Sequence, residues 1–474
     1  MQIFLLPILP QIILAGGGLL VYLTGIRRAE KSAAGFFLAL LTLAVCAAVA
    51  LADIPTTHTV MGTTAYGGFS RFFILLLSGV GFLSLLLIRH YAETRSFSSD
   101  VLYGTMLFAV LGMIGVAGAE HWLVFFLNFE LLSFALYLLI AVGKSRVDNY
   151  EAAIKYFIMG AVASGFLLFG IALFYAATGS LTIAPLLAPV TRVTDSYLVT
   201  LATVLILAGI GFKISLVPFH LWTPDVYQGA PAPITGFLAT GAKIAVIAFL
   251  LHLAAPHATP HPIFGPILWW LAALTILVGN ITALVQRRVK RLLAYSSIAQ
   301  MGYLLMAILA GRELGQQAVL FYSAAYVLMD LGAFGALTLF SGGDEDLDEL
   351  DDFRQLGYRS PGRAALLAVS LLSLAGLPPT AGFIGKFLIF TAALKAGYIW
   401  LALIGIAGAV VSVFYYMKVV VALYLQSQRT TRETAALEWP AVAAGTVIVT
   451  LIFWLGSLPA PLLAVIDRIS QALS

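Results

Sequence analysis

The sequence predicts an all-α membrane protein with about fourteen transmembrane helices, and three observations carry that expectation. Apolar residues fill 61% of the 474 positions. Asp, Glu, Lys and Arg together fill only 10%, against roughly 25% in a soluble domain. The apolar residues gather in runs of about 20, the length that crosses ~30 Å of hydrocarbon. Too few polar side chains remain to cover a water-soluble surface of this size, so most of that surface must face lipid. A soluble globular enzyme, a disordered chain and a disulfide scaffold are excluded. The net charge is +4, and no Lys/Arg tract is interleaved with aromatics, which argues against nucleic acid as a partner.

In chain order the runs fall at 3–24, 33–52, 70–88, 101–119, 121–142, 152–177, 197–227, 233–254, 264–285, 292–310, 317–340, 364–396, 399–426 and 438–458. The first has no basic segment before it and no small-residue cleavage site after it, so it reads as a span and not a signal peptide. Cys46, the single cysteine, lies in the second run and reads as packing, since it has no partner for a disulfide or a Cys-based metal site. The seventh and twelfth runs are too long for one straight helix, and each holds Pro near its middle. Proline removes a ladder hydrogen bond and frees a carbonyl. In lipid that carbonyl must be satisfied by protein or by water in a cavity. Leu216–His220 and Gly376–Thr380 therefore predict discontinuous helices beside a hydrated path, the usual place for a transport site.

The longest polar stretch, about 341–363, carries seven acids between Asp344 and Asp352. It reads as a solvated cytoplasmic loop, with docking of a basic partner as the functional alternative. Residues 461–474 form a short amphipathic segment expected at the surface. Sixteen Lys and Arg fall after odd-numbered spans, among them Arg95, Lys290, Arg291 and Arg354, and five fall on the opposite side. The positive-inside rule then places both termini outside, on the periplasmic or equivalent face.

Five lysines are left inside apolar runs: Lys155, Lys213, Lys243, Lys386 and Lys418. A charge at the bilayer centre costs about 2.5–3.5 kcal/mol on insertion scales, so such residues face the bundle interior or water and mark function by default. Lys213 and Lys243 lie near mid-span, about 15 Å from either surface at ~1.5 Å per residue, too deep to snorkel. Glu130 is equally deep, and an isolated carboxylate there would be neutral and costly. Lys386 lies seven residues past Pro379. Snorkelling competes with function at Lys155, one turn into its helix, and at Lys418, near the basic end of its span. His220 and His252 could relay protons or be hydrogen-bonded structural residues, while His257 and His261 read as solvated. No spacing of His, Cys or carboxylates suggests haem, zinc or an iron–sulfur cluster, and there is no Gly-rich phosphate loop. From the residues alone, this is a cation or proton conductor with Lys and Glu as its switchable groups.

Five segments then carry a resemblance. They are Asn149–Phe157 (NYEAAIKYF), Gly211–Pro231 (GFKISLVPFHLWTPDVYQGAP), Ala232–Lys243 (APITGFLATGAK), Val289–Tyr303 (VKRLLAYSSIAQMGY) and Gly376–Phe387 (GLPPTAGFIGKF). Together they resemble the antiporter-like membrane subunits of proton-pumping NADH–quinone oxidoreductase, respiratory complex I, and within them the subunit N (subunit 2) family. The resemblance covers nearly the whole chain. The sister subunit M usually carries Glu where Lys386 stands, and subunit L carries a long lateral helix for which this chain has no room. Gln300 departs from the pattern, because many N subunits carry His there, so a histidine relay is not carried over to that position.

The resemblance implies fourteen helices with two inverted five-helix repeats and breaks in helices seven and twelve. Three helices over 1–100 would precede a first repeat at 101–254 and a second at 264–426, with the last span and a short tail over 438–474. Glu130 and Lys213 would form the charge pair of one half-channel, Lys243 the central connection, and Lys386 the exit. Lys155, His220 and Lys418 are lesser candidates for the same path. The chain would be a non-redox subunit of a bacterial inner-membrane translocase, moving protons while quinone is reduced elsewhere. NADH, FMN, iron–sulfur clusters and quinone would all belong to partner membrane and peripheral subunits, with no cofactor or metal in this one. A subunit of a multi-subunit sodium/proton antiporter, or of a relative fed by reduced F420 or ferredoxin, is the alternative.

Overall fold

A computed structural model describes residues 8–27, 33–52, 67–95, 97, 99–142, 147–183, 196–254, 264–311, 313–341, 346–426 and 438–473. His257, His261, Asp344, Glu345 and several of the loop basic residues, including Lys144 and Arg146, lie outside the described residues. The helices are α1 Leu9–Arg27, α2 Ala33–Leu51, α3 Gly68–Thr94, α4 Ser99–Ala117, α5 Trp122–Ala141, α6 Val147–Thr178, α7 Ser196–Lys213 and α8 Trp222–Gly229. They continue as α9 Ala232–Ala254, α10 Phe264–Leu284, α11 Val289–Leu309, α12 Leu314–Phe340, α13 Pro361–Ala375, α14 Ala381–Lys395, α15 Ile399–Ala422, α16 Trp439–Ser457 and α17 Ala460–Leu473. Eleven are long and apolar enough to cross a membrane, and three shorter apolar helices bring the total to fourteen. They stand at the fourteen places where the apolar runs fall, and the chain is a multi-pass membrane protein.

Burial separates two kinds of span. The apolar window of α9 is buried throughout, and those of α11 and α12 almost so. These three form the centre, and α12 is wrapped by α13, α14 and α16. The peripheral spans turn large apolar side chains outward, among them Phe37, Leu127, Phe134, Val162 and Phe169. Such a surface is stable only where lipid replaces water. Cys46 is buried beside Ser78 within this packing. The amphipathic α17 buries Ile466 and Ile469 and lies against α3 and α12.

Helical hydrogen bonding stops between Lys213 and Trp222, and again between Ala375 and Ala381. The stops share one geometry. After α13, Gly376 adopts φ +87°, Leu377 N donates to Leu372 O (3.1 Å) and Gly376 N to Ser373 O (2.9 Å). After α7, Ser215 adopts φ +62°, Leu216 N donates to Gly211 O (2.8 Å) and Ser215 N to Phe212 O (3.1 Å). Both are Schellman terminations, which satisfy two late carbonyls and leave the very last ones free. A Val217-Pro218 and a Pro378-Pro379 cis peptide follow at the corresponding positions.

The second stop is closely packed at Gly382, where an added Cβ would lie 1.7 Å from Ser373 O. That carbonyl already accepts the Gly376 N–H and cannot retreat alone. Gly382→Ala is therefore expected to destabilise the protein by at least the ~1–3 kcal/mol typical of overpacking. A lower unfolding midpoint of the detergent-purified protein checks this, and an unchanged midpoint would mean that α13 and α14 separate freely.

Within the acidic stretch Glu349 and Asp351 are exposed as expected, but Asp346 departs from that solvation. Asp346 has only 7% of its side chain exposed and pairs with Lys290 Nζ at 2.6 Å and Arg95 Nη2 at 2.9 Å. It also accepts from the Tyr91 hydroxyl (2.8 Å) and from Ala232 N (3.1 Å), the first residue of α9. The cause is charge balance. Lys290 and Arg95 sit where three helix ends meet, and a carboxylate at the start of α9 neutralises both while meeting the positive end of the helix dipole. Burial alone would raise the Asp346 carboxyl, but Lys290 and Arg95 hold it down at about 2. Asp348, nearby, is instead pushed up by burial against the pull of Lys290.

Candidate functional site

On α5, Glu130 and Ser133 are one turn apart and project from the same face. Glu130 is half-buried and accepts a short hydrogen bond from the Ser164 hydroxyl of α6. Lys213 is the last residue of α7 and 2% exposed. Its ammonium donates to Ser133 Oγ at 2.7 Å and lies over the rings of Phe129 and Tyr156, at 5.2 and 5.3 Å. Ring faces carry the negative end of a quadrupole and attract a cation, so they suit a desolvated ammonium. No ion pair within 4.0 Å joins Lys213 to Glu130. Ser133 is the direct partner of Lys213.

Tyr156 stacks on Trp222 at 4.6 Å, Trp222 meets Tyr227 at 6.3 Å, and the Tyr227 ring lies 5.3 Å from Lys243 Nζ. Lys243 is fully buried and follows a π-helical turn over Leu238–Ala242. Such a turn inserts one residue and re-aims the side chains beyond it, and it is frequent at functional sites. Lys243 Nζ donates to Ser297 Oγ at 2.8 Å. Ser297 shares a 2.7 Å hydrogen bond with the Tyr326 hydroxyl. Tyr326 reaches both Ala239 O in the π turn (3.0 Å) and Asp330 Oδ2 (3.3 Å).

Asp330 is fully buried near the middle of α12, and sequence reasoning passed over it. The signal was present, as a lone acid deep in the run 317–340. An acid at that depth is as costly as a lysine, and that cost is what marks it.

One turn beyond Ser297, Gln300 accepts from the Tyr322 hydroxyl in a short hydrogen bond. It donates to Tyr416 Oη at 3.3 Å and lies 3.5 Å from Leu374 O. Lys386, 4% exposed, donates to Leu374 O at 2.8 Å and Ala375 O at 3.1 Å. These are the last carbonyls of α13, the ones its Schellman turn leaves free. Their partial negative charge at a helix C-terminus favours a cation. The Tyr303 ring lies 5.3 Å from the same ammonium.

The remaining candidates stand apart from this row. Lys155 pairs with Glu151 at 2.7 Å and Asp225 at 3.3 Å with 44% of its side chain exposed. Lys418 donates to Gln286 O at 2.9 Å and is half-buried. His220 is buried within the stretch between α7 and α8. His252 lies 3.8 Å from Glu120 and against Phe69, near the opposite end of α9 from Asp346. Among the described residues no group of three His, Cys, Asp or Glu is placed to hold a metal ion.

Residues 119–412 of this helical membrane bundle match the family described as NADH:quinone oxidoreductase/Mrp antiporter, TM. The chain belongs to the NADH-quinone oxidoreductase subunit N family within that class. It is 46% identical to NADH-quinone oxidoreductase subunit N 1 of Solidesulfovibrio magneticus, over 94% of each chain. It is 43% identical to subunit N of Geobacter metallireducens, over 96% of each. A chain of respiratory complex I from Thermus thermophilus with bound aureothin superposes with a TM-score of 0.81 at 36% identity, over 96% of this chain and 98% of that one. A chain of the Mrp complex from Dietzia sp. DQ12-45-1b shares the fold alone, with a TM-score of 0.85 at 20% identity over 100% and 98% of the two chains.

Proposed function

We propose that this chain is the proton-translocating subunit N of a bacterial respiratory NADH–quinone oxidoreductase, moving protons while quinone is reduced in partner subunits. One observation carries the reading. Three lysines at most 4% exposed, Lys213, Lys243 and Lys386, each lie buried inside the bundle against a hydroxyl or a freed carbonyl and beside an aromatic ring. Burying three ammonium groups opposes stability, so a fold that keeps them is using them. NADH, FMN, the iron–sulfur clusters and quinone belong to the partner membrane and peripheral subunits in this reading. Both termini lie on the periplasmic side, as the basic loops indicate.

Two inverted repeats, 101–254 and 264–426, are part of the same proposal. In their support, the two Schellman stops correspond residue for residue. Ser133 and Gln300 are each the twelfth residue of their helices, α5 and α11, and each faces the end of an interrupted helix. Glu130, Lys213, Lys243 and Lys386 are the proposed path, with Lys155, His220 and Lys418 at its margins.

In the mechanism, Lys213 gains and loses a proton in each cycle and Glu130 sets how tightly it is held. A nearby carboxylate stabilises an ammonium, and withdrawing that influence releases the proton towards Lys243. Glu130→Ala is expected to slow donor-driven proton uptake into sealed vesicles about tenfold, the effect of ~1.4 kcal/mol. Glu130→Asp should retain an intermediate rate, because its shorter arm keeps the charge. Wild-type uptake by a fully assembled Glu130→Ala complex would overturn the assignment. Transport driven by a sodium gradient, with no electron donor, would favour the antiporter alternative.

A further inference from the structure

Lys243 differs from Lys213 in what surrounds it. Its partner hydroxyl does not end on a backbone carbonyl but leads on, through a second hydroxyl, to a carboxyl group. We propose that Asp330 is the proton-exchanging partner of Lys243, and that Ser297 and Tyr326 are the bridge between them. This rests on the proton-translocation reading and adds a residue to it.

The hydrogen bonds run in one sense. Lys243 donates to Ser297 (2.8 Å), so the Ser297 hydroxyl is free to donate to Tyr326 (2.7 Å), whose own proton reaches Asp330 Oδ2 (3.3 Å). Each hydroxyl passes one proton on and receives one, so a Lys ammonium and an Asp carboxylate become a Lys amine and an Asp carboxylic acid. Charge balances on both sides. The exchange turns an ion pair into a neutral pair without changing the net charge of the centre, so it avoids the cost of a lone buried ion. Asp330 is fully buried and its Oδ1 has no hydrogen-bond partner among the described residues. A permanent carboxylate in such a place would be poorly satisfied, since it can accept about four hydrogen bonds. A carboxyl that spends part of the cycle protonated is not. Tyr326 can also turn its proton to Ala239 O, at 3.0 Å in the π turn before Lys243, which breaks the bridge and gives it an open and a closed state.

The test uses the assembled complex in sealed vesicles, with donor-driven proton uptake and redox-triggered infrared difference spectra recorded on the same preparations. Asp330→Asn keeps the shape and an acceptor for Tyr326 but cannot exchange a proton. It is expected to lower uptake about tenfold or more, equivalent to ~1.4 kcal/mol, and to remove the carbonyl-stretch signal of a carboxylic acid seen in the wild type. Asp330→Glu should restore part of both. Wild-type uptake by Asp330→Asn, or slow uptake with the carboxylic-acid signal unchanged, overturns the proposal. Should Asp330→Asn fail to assemble, Tyr326→Phe decides. Loss of the donor hydroxyl must shift that signal and slow uptake, and an unshifted signal overturns the assignment. Lys213→Ala serves as the separate control. If it pumps normally the translocation reading itself fails, whereas an inactive Lys213→Ala beside a normal Asp330→Asn removes only the role of Asp330.

Discussion

Lys213→Ala is expected to abolish donor-driven proton pumping while the complex still assembles. The substitution removes an ammonium whose one direct hydrogen bond among the described residues is to Ser133, and Ser133 keeps its own bond to Phe129 O at 2.7 Å. The termination of α7 is made by backbone groups of Gly211, Phe212, Ser215 and Leu216, and Trp222 Nε1 donates to Phe212 O at 2.9 Å. None of these uses the Lys213 side chain. Losing one buried ion without stranding an opposite charge in direct contact is tolerated far better than breaking a close pair. Function and stability are therefore expected to separate. Lys213→Arg sharpens the test, because a guanidinium stays charged throughout. It should assemble and remain inactive if the proton itself must leave this position. Proton uptake at wild-type rate in either variant would refute the assignment of Lys213.

The second large effect concerns stability. Asp346→Asn is expected to cost about 3–5 kcal/mol, because it leaves Lys290 and Arg95 buried without their counter-charge. The loss should appear as a lower unfolding midpoint of the purified protein. The same carboxylate gives a pH dependence whose sign follows from its direction. Held at about 2 against an ordinary 3.8, it contributes about 2.5 kcal/mol at ~1.4 kcal/mol per pH unit. That contribution is complete above pH ~4 and is lost as the pH falls from there towards 2. Acid should thus narrow the gap between wild type and Asp346→Asn over that window. A gap that stays constant from pH 5 to the acid limit, about 2, would show that Asp346 does not act as a paired carboxylate.

The positions of the fourteen spans were legible in the sequence because lipid imposes one rule on every stretch of chain. A segment that is long and predominantly apolar crosses, and one without that property does not. Depth was legible for the same reason, so Lys213, Lys243, Lys386 and Glu130 stood out as ions too far from water to reach it. The prolines showed where hydrogen bonding would lapse, since that effect acts within a few residues of the chain.

Partnership was not legible, because it depends on which helix faces meet. Lys386 finds Leu374 O and Ala375 O only because α14 folds back on the end of α13. Tyr326 and Asp330 are one turn apart on α12, but Lys243 and Ser297 come to them from two other helices, which no spacing in the sequence shows. Asp346 reads as one of several solvated acids until Arg95 and Lys290 arrive from distant parts of the chain. Lys155 reads in the sequence as a lysine that either snorkels or functions, and only the structure sets it half exposed against Glu151 while Lys213 is sealed between α5 and α6. Hydropathy is a sum over single residues and survives without knowledge of neighbours, so the sequence alone determined the class of protein and the depth of Glu130, Lys213, Lys243 and Lys386 in their spans. A charged group's behaviour in low dielectric is set by the atoms within a few ångströms of it, and only the tertiary structure decides which atoms those are.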